Sequence, residues 1–251
     1  MTEHPLLLND AMVRARRAGR TTQTRRPMKP QPFFTEGGLN FGSKMFLRDR
    51  GGFRYSDAKL LTALAEIGPF GKPGDKLWIR ETWRLQRSLD DVAPNDVWCG
   101  EQIQYKEETD HFADAAVRSA SFCPGHWRPS IHMPRWASRD SVLVKRVWCE
   151  RLQDISEADA IAEGIKAYAE GGYKIYSQTT LFGTSDPIAS FASLWDSIYS
   201  FPKRVPAKGP VSHYVSHPWE DVQETRDHKG KPWIVNGNPW NWACEFEEAI
   251  T

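Results

Sequence analysis

The sequence has no long apolar run, and it contains few cysteines. No stretch of about 18 consecutive apolar residues, the length that a membrane-spanning helix needs, occurs in it. The N-terminal apolar run, Leu6 to Leu8, is too short for a secretory signal. Four cysteines spread over 251 residues do not form the dense pattern of a disulfide-stabilised domain. These absences predict a protein of a reducing cytoplasm, without a membrane partner.

The sequence also lacks a surplus of either charge. The formal net charge is +1, so no overall field attracts polyanions. Contact with nucleic acid would therefore require a local basic patch, and the stretch between Asp10 and Glu36 supplies one because it contains no acid. The basic residues of this stretch are Arg14, Arg16, Arg17, Arg20, Arg25, Arg26 and Lys29.

Tryptophan is abundant, with 11 residues, in a composition that is otherwise ordinary for a globular chain. Its indole ring buries a large area, offers a stacking face and carries one N–H donor. The surplus therefore indicates either several aromatic clusters in the core or a groove that binds a ligand.

The N-terminal segment predicts a strand, a helix, a turn and a second strand. Leu6 to Leu8 is typical of a short buried strand, and Asn9 can cap a helix that ends at Arg17. Gly19 stands where a left-handed C-terminal cap is expected. A polar strand over residues 21–26 then ends before Pro27.

The rest of the chain predicts strands separated by long excursions. Residues 72–75 predict a turn that leads into a strand over 76–83, and further strands are expected over 142–147 and 239–248. Helices are predicted over 57–67, from Ser156 to Gly164 and from Pro187. Insertions are expected at about 33–70 (a hairpin), 85–126 (a strand over 97–105 and a helix over 111–118), 166–186 and 201–236 (an irregular loop). The pattern indicates an α+β fold around a small barrel.

Five stretches together resemble the ASCH domain family of the PUA-like superfold, in the form that tailed phages and prophages encode. They are residues 18–27, 71–83, 127–139, 151–165 and 238–242. Because they follow one another over nearly the whole chain, the resemblance implies one domain over residues 1–251. It implies a PUA-like small β-barrel with flanking helices, long loop insertions and a cleft between barrel and helices.

The resemblance also implies a function. Relatives of this superfold bind RNA or modified bases, and one bacterial subfamily hydrolyses N(4)-acetylcytidine with a Thr nucleophile, an activating Lys and a Glu. Motif by motif, the Thr falls on Thr24 and the Glu on Glu163, whereas the Lys falls on Thr21. Thr21 cannot act as the activating base that the lysine provides. The arginines next to it in the sequence cannot take over that role either, because a guanidinium stays protonated.

Further candidate ligand residues follow from side-chain chemistry. Arg20, Arg25 and Arg26 offer planar forks for phosphate, or form a solvated basic strand edge. A loop rich in rings and cations suits base stacking and phosphate contact, or its tryptophans fill the barrel; its candidates are Trp127, Arg128, His132, Arg135 and Trp136. Arg80 and Glu81 follow on a strand, where Glu81 either accepts a base N–H, pairs with an arginine in the cleft, or is an ordinary exposed carboxylate.

No metal or cofactor is expected. Cys123 and His126 have the spacing of a ligand pair, but no second close pair completes a zinc site.

Three functions remain open. The protein binds a nucleotide, modified nucleoside or nucleic acid in its cleft and hydrolyses an acyl amide on a modified pyrimidine; or it is a non-catalytic reader of single-stranded RNA or DNA; or it is a structural accessory of phage assembly. A lysine amine near Thr24 favours the amidohydrolase, and an arginine or solvent there favours the reader. If phage-encoded, the protein acts in the bacterial host cytoplasm.

Overall fold

The computed structural model describes residues 1–35, 38–42, 44–47, 57–109, 122–176, 183–205, 213–220 and 234–249. The helices are α1 (Asp10–Arg17), α2 (Asp57–Ala65), α3 (Lys106–Thr109), α4 (Glu157–Ala162) and α5 (Pro187–Tyr199). The strands are β1 (Glu3–Leu7), β2 (Gln23–Pro27), β3 (Phe33–Thr35), β4 (Gly38–Phe41), β5 (Lys44–Leu47), β6 (Lys76–Arg80), β7 (Trp83–Arg84), β8 (Gln104–Tyr105), β9 (Ser141–Arg151), β10 (Lys203–Val205), β11 (His213–Ser216), β12 (Ile234–Val235) and β13 (Trp240–Glu248). Within these described ranges, no helix has the length and apolar character needed to cross a membrane.

The main sheet has five strands in the order β1-β6-β9-β13-β2. The β1–β6 pair is parallel, with Glu3 opposite Lys76, whereas β6 runs antiparallel to β9. At the other end, β2 runs antiparallel to β13, with Thr24 opposite Cys244. This mixed sheet with few helices confirms the predicted α+β class.

The chain divides into two compact units. Unit 1 contains Met1–Thr22, Pro69–Arg146 and Phe246–Thr251, and unit 2 contains Gln23–Gly68 and Val147–Glu245. Strands β9 and β13 therefore contribute residues to both units.

Each unit has its own apolar cluster or clusters. In unit 1, Trp83, Leu85 and Met133 are fully buried at the centre of one cluster. In unit 2, Met28 and Leu64 belong to one cluster, and the members of a second are Leu152, Ile155, Ala160, Ile165, Phe191 and Trp195.

The predicted ends of α1, α4 and α5 that follow are confirmed, whereas the helix predicted over 57–67 ends two residues earlier, at Ala65. The Asn9 side chain accepts a hydrogen bond from the Met12 backbone N–H at 2.9 Å, and Gly19 adopts the left-handed conformation, with φ +70°. Ser156 caps α4 by accepting from the Asp159 backbone N–H. Pro187 is the first residue of α5, where its missing N–H costs no helical hydrogen bond.

Strand boundaries differ from the sequence prediction. Strand β2 begins at Gln23 and includes Pro27, which is tolerated because β2 stands at the end of the sheet order. The strand predicted over 76–83 divides into β6 and β7. The strand predicted over 97–105 is wrong except for β8, because the chain turns where the Glu101 backbone N–H donates to the Trp98 carbonyl at 3.3 Å.

Two of the segments predicted to be insertions contain small β-sheets. The predicted hairpin near 33–70 is confirmed as the antiparallel sheet β3-β4-β5. The irregular loop predicted over 201–236 is wrong in part, since β10, β11 and β12 form a three-stranded sheet there. Ser56 and the helix predicted over 111–118 lie outside the described residues.

We expect the chain to unfold in one cooperative transition, as the single-domain prediction requires. The chain passes between the two units at residues 22–23, 68–69, 146–147 and 245–246, and two of these passages lie inside strands of the main sheet. Melting one unit therefore disrupts strands of the other. Differential scanning calorimetry should show a van't Hoff enthalpy equal to the calorimetric enthalpy; two resolved transitions would contradict this expectation.

Candidate functional site

A buried arginine on β2 is the centre of the most extensive polar cluster of unit 2. Arg25 is 1% exposed, and its Nε donates to Glu150 at 2.6 Å. Its Nη1 donates to Glu163 at 2.9 Å and to the side-chain oxygen of Gln23 at 3.1 Å. We call Gln23, Arg25, Glu150, Asp159 and Glu163 the Arg25 cluster.

Three elements hold the cluster in place. Strand β2 supplies Gln23 and Arg25, β9 supplies Glu150, and α4 with its C-cap supplies Asp159 and Glu163. Asp159 accepts from the Gln23 amide at 2.7 Å and from the hydroxyl of Ser156. Because each side chain is fixed by a partner from another element, the geometry is preorganised.

The cluster carries more negative than positive charge, since one guanidinium lies among three carboxylates. Burial raises the pKa of Glu163 above its ordinary value, and Arg25, with a smaller contribution from the charge of Arg26, offsets this only in part. Burial opposes the charge of Arg25, yet Glu163 and Glu150 raise its pKa overall. Arg25 is therefore always charged, and the buried Glu163 carboxyl takes up a proton more readily than an exposed glutamate does.

The cluster has a buried floor and a rim that reaches solvent. The side chains of Arg25 and Glu163 are 0% and 5% exposed, whereas those of Glu150 and Asp159 are 17% and 26% exposed. The Arg25 Nη2 is buried without a hydrogen-bond partner among the described residues, with Asp159 at 3.7 Å. The half-buried Trp148 ring lies beside the guanidinium, 5.6 Å from centroid to Cζ. A ligand at the rim would find the carboxylate acceptors of Glu150 and Asp159.

Thr24, the predicted nucleophile, is fully buried on the other face of β2. Side chains alternate along a strand, so Thr24 and Arg26 point away from the side that carries Arg25. Thr24 accepts a hydrogen bond from Arg26 Nη1 at 2.9 Å, and the face it shares with Trp242 adjoins the apolar cluster of Met28 and Leu64. A guanidinium only donates, so Arg26 cannot remove the threonine proton.

The structure thus brings Thr24, Arg25, Arg26 and Glu163 to one strand and its covering helix, but divides them between two faces. Arg25 binds carboxylates and does not present its fork at the surface. Arg20 and Thr21 belong to unit 1, where Arg20 is exposed and Thr21 is buried with its hydroxyl unpartnered among the described residues.

Glu81 in unit 1 is buried and forms a two-point ion pair with Arg139, with both N–O distances 2.9 Å. The Arg139 guanidinium lies over the Tyr105 ring at 3.7 Å. Arg80 donates to the Ile131 carbonyl and lies over the Trp78 ring. Both predicted ligand residues therefore have partners within the unit.

The predicted ligand loop is largely engaged in packing. Arg128 is buried and donates to the carbonyls of Val92 at 2.9 Å, Leu89 at 2.5 Å and Asp90 at 3.3 Å. Trp136 packs edge-on against the buried Trp83, at 6.1 Å between centroids.

Two other members of the loop have partners elsewhere in unit 1. Trp127 lies under the guanidinium of Arg84 at 4.1 Å, and Arg135 pairs with Glu3 at 2.7 Å.

Arg128 and His132 also line one pocket of unit 1, with a volume of about 390 Å³. Asp90 accepts from the His126 backbone N–H at 3.0 Å, and its carboxylate lies 3.1 Å from His126 Nδ1. Asp91 and Pro129 complete one side of this pocket. The pocket shares no residue with the Arg25 cluster.

The sequence prediction missed four residues of the Arg25 site: Gln23, Trp148, Glu150 and Asp159. Trp148 and Glu150 stand beyond the predicted end of the strand at Val147. Had that strand been extended, alternation would have placed the two on one face. Asp159 lies in the helix predicted from Ser156 to Gly164, and nothing local to the sequence connects it with Gln23.

Among the described residues, no group of three or more His, Cys, Asp or Glu side chains is arranged to hold a metal ion. All four cysteines are unpaired. Comparison with protein-family models, with curated proteins and with solved structures finds no match.

Replacing Arg25 should destabilise the protein strongly. Arg25→Met leaves the carboxylates of Glu150 and Glu163 without their cation, and breaking a buried ion pair in this way costs about 3–5 kcal/mol. The loss should shrink as the pH falls, because burial already raises the pKa of Glu163 and its neutral form does not need the cation. Arg20→Met, at an exposed position, is the control and should change the free energy of unfolding by under about 1 kcal/mol. If urea denaturation shows the same loss in free energy of unfolding for both variants, Arg25 is not the stabilising centre of the cluster.

Proposed function

We propose that the protein is a PUA-like domain of the ASCH type that binds a nucleobase with an exocyclic amino group, without hydrolysing it. The ligand is a modified nucleoside or a base of single-stranded RNA or DNA, held at the rim of the Arg25 cluster. The resemblance of the five sequence stretches supports the family, and the barrel expected of that family is part of the proposal.

The observation that carries the proposal is the surplus of acceptors at the rim. Glu150 and Asp159 are the partly exposed carboxylates of a cluster with one cation, so their remaining lone pairs favour an N–H donor. The amino group of cytosine or adenine is such a donor, and a carboxylate that accepts from cytosine N4 is a known means of base recognition.

The donors of the cluster fit the rest of a cytosine edge. Next to its amino group, cytosine carries two acceptors, N3 and O2. Arg25 Nη2 is buried without a hydrogen-bond partner among the described residues and lies 3.7 Å from Asp159, so a base that displaces part of the rim could donate to Asp159 and accept from this N–H. Uracil, which presents a carbonyl where cytosine has its amino group, would set an oxygen against a carboxylate. The cluster therefore favours cytosine-like bases.

Two features of Thr24 favour binding over hydrolysis. Its hydroxyl accepts from Arg26, which cannot act as a base, and its side chain leaves β2 on the face opposite Arg25 and the Glu163 partner of Arg25. A nucleophile and an acid that act on one amide must reach it from the same site.

Binding is tested by titrating cytidine, N(4)-acetylcytidine and uridine into the full chain by calorimetry. We expect cytidine-type ligands to bind more tightly than uridine. Glu150→Gln, which preserves shape but replaces an acceptor oxygen by an amide, should weaken their affinity by about tenfold or more, since charged hydrogen bonds are worth about 1.5–3 kcal/mol. The matched control is Glu157→Gln, an exposed residue of α4, which should bind as the wild type does.

Uridine binding as tight as cytidine binding, or equal losses in the two variants, would contradict the proposed site. Failure of every nucleoside and of single-stranded RNA and DNA to bind would favour a structural role in phage assembly.

Catalysis is tested by incubating the wild-type protein and Thr24→Val with N(4)-acetylcytidine and measuring released cytidine by chromatography. We expect no turnover by either protein. Turnover by the wild type that Thr24→Val abolishes would overturn the non-catalytic proposal and identify Thr24 as a nucleophile. Thr24→Val should fold, because valine has nearly the same shape as threonine.

A further inference from the structure

A second unusual polar group of unit 2 is His217, which directly follows β11. The residue is 3% exposed, and both ring nitrogens lack a hydrogen-bond partner among the described residues. Its backbone is fixed on both sides, because its N–H donates to the Tyr199 carbonyl at 2.9 Å and its carbonyl accepts from the Trp195 indole at 2.7 Å. A buried polar group without a partner is costly and calls for an explanation.

Two lysines contribute positive charge at this imidazole, and Lys203 pairs across the sheet with Val215, two residues before His217. Lys203 begins β10, with its Nζ 5.4 Å from the centroid of the Tyr199 ring. Lys29 follows β2 by two residues, and both lysine side chains are exposed. Burial, with the charges of Lys29 and then Lys203, lowers the pKa of His217 to about 4, and burial together with Lys203 lowers that of Lys29. The two cations therefore act on the imidazole and on each other.

One acid near this site, Asp196, already has a hydrogen-bond partner. On α5, Asp196 accepts from the Trp219 backbone N–H at 2.7 Å, and burial raises its pKa, with the charge of Glu220 adding to the shift. No ion pair of Lys29 or Lys203 with an acid is found among the described residues. Among the described residues, the ammonium groups of Lys29 and Lys203 therefore have no carboxylate as a counter-ion.

We propose that His217, Lys29 and Lys203 form a binding site for a tetrahedral oxyanion, that is, a phosphate group or sulfate. Two exposed ammonium groups attract the anion, and a ring nitrogen of His217 donates to one of its oxygens at the buried end. The anion supplies the partner that the imidazole lacks and relieves the repulsion between the lysines. This site is independent of the Arg25 cluster, since it shares no residue with it.

Sulfate is the sharpest probe because it stays doubly charged between pH 5.5 and 8. The melting temperature of the full chain is measured in sodium sulfate and in sodium chloride of equal ionic strength. The difference in melting temperature between the two salts is then compared between the wild type and the variants. Sulfate raises the melting temperature of most proteins without binding to a specific site. A variant that lacks the site shows the size of this non-specific effect. Lys203→Met and Lys29→Met remove one cation each, and Lys166→Met, at an exposed lysine of the same unit, is the control.

We expect the wild type and Lys166→Met to show the same extra stabilisation by sulfate, and each of the other two variants to bind sulfate at least about tenfold more weakly. Equal sulfate effects in all four proteins would overturn the proposal. The variants should fold, because all three substituted lysines are exposed.

The pH dependence provides a second readout. Without an anion, the unfolded chain binds a proton at His217 near pH 6.5 and the folded chain only near pH 4, so stability is lost as the pH falls through this window. A bound anion raises the folded pKa of His217 and removes part of that loss. The sulfate effect in the wild type should therefore grow between pH 8 and 5.5; a sulfate effect independent of pH would exclude His217 from the site.

The source of the anion is separated by comparing ribose 5-phosphate with ribose and inorganic phosphate at pH 8. Stabilisation by ribose 5-phosphate but not by ribose identifies the phosphate monoester of a larger ligand. The nucleoside titrations use ligands without phosphate and variants of other residues. A negative result in those titrations therefore does not contradict the oxyanion site, and a negative sulfate result does not contradict the nucleobase site.

Discussion

The guanidinium of Arg25 is the interaction on which the architecture of unit 2 depends. It is fully buried and joins β2 to β9 through Glu150 and to the end of α4 through Glu163. Burying a charge is tolerated only when its partners are close and well oriented, so the positions of these three elements are coupled. Gln23 and Asp159 complete the arrangement by hydrogen-bonding to each other at 2.7 Å. The same constraint that stabilises the fold therefore also preorganises a polar site.

Strand β2 separates polar from apolar surroundings. One face carries Gln23 and Arg25 under α4, and the opposite face carries Thr24 with the apolar cluster of Met28 and Leu64 nearby. This division explains why the run of threonines and arginines over residues 21–26 does not form a single catalytic site. Adjacent residues of a strand point in opposite directions, so Thr24 and Arg25 serve different environments.

In unit 1, arginines hold loops together. Arg128 satisfies the carbonyls of Leu89, Asp90 and Val92, and Arg139 neutralises the buried Glu81. Backbone carbonyls of an irregular segment need partners when they are covered, and a guanidinium supplies several donors at once. The tryptophans next to them pack against these arginines and against one another, as in the Trp83–Trp136 and Arg84–Trp127 pairs. A loop composition that suits nucleic acid thus serves the loop structure as well.

The features that the sequence predicted correctly depend on interactions between neighbouring residues. The Asn9 and Ser156 caps, the turn at residues 72–75, and Pro187 at the start of α5 were all predicted correctly, because each rests on a few neighbouring residues. The α+β class was also predicted, from the alternation of strand-like and helix-like segments.

The tertiary structure alone decided the partners of the charged residues. Arg25 is separated from Glu163 by 138 positions and from Glu150 by 125, and Arg139 from Glu81 by 58. Composition shows that these charges exist, but their pairing depends on which strands and helices come together. The buried face of β9 also changes from even-numbered residues, such as Val144, to the odd-numbered Cys149, which strict alternation cannot anticipate. The sequence by itself therefore determined the helix caps, the turn and the fold class, whereas long-range packing determined the site, because desolvation and ion pairing act between residues that are distant in the chain.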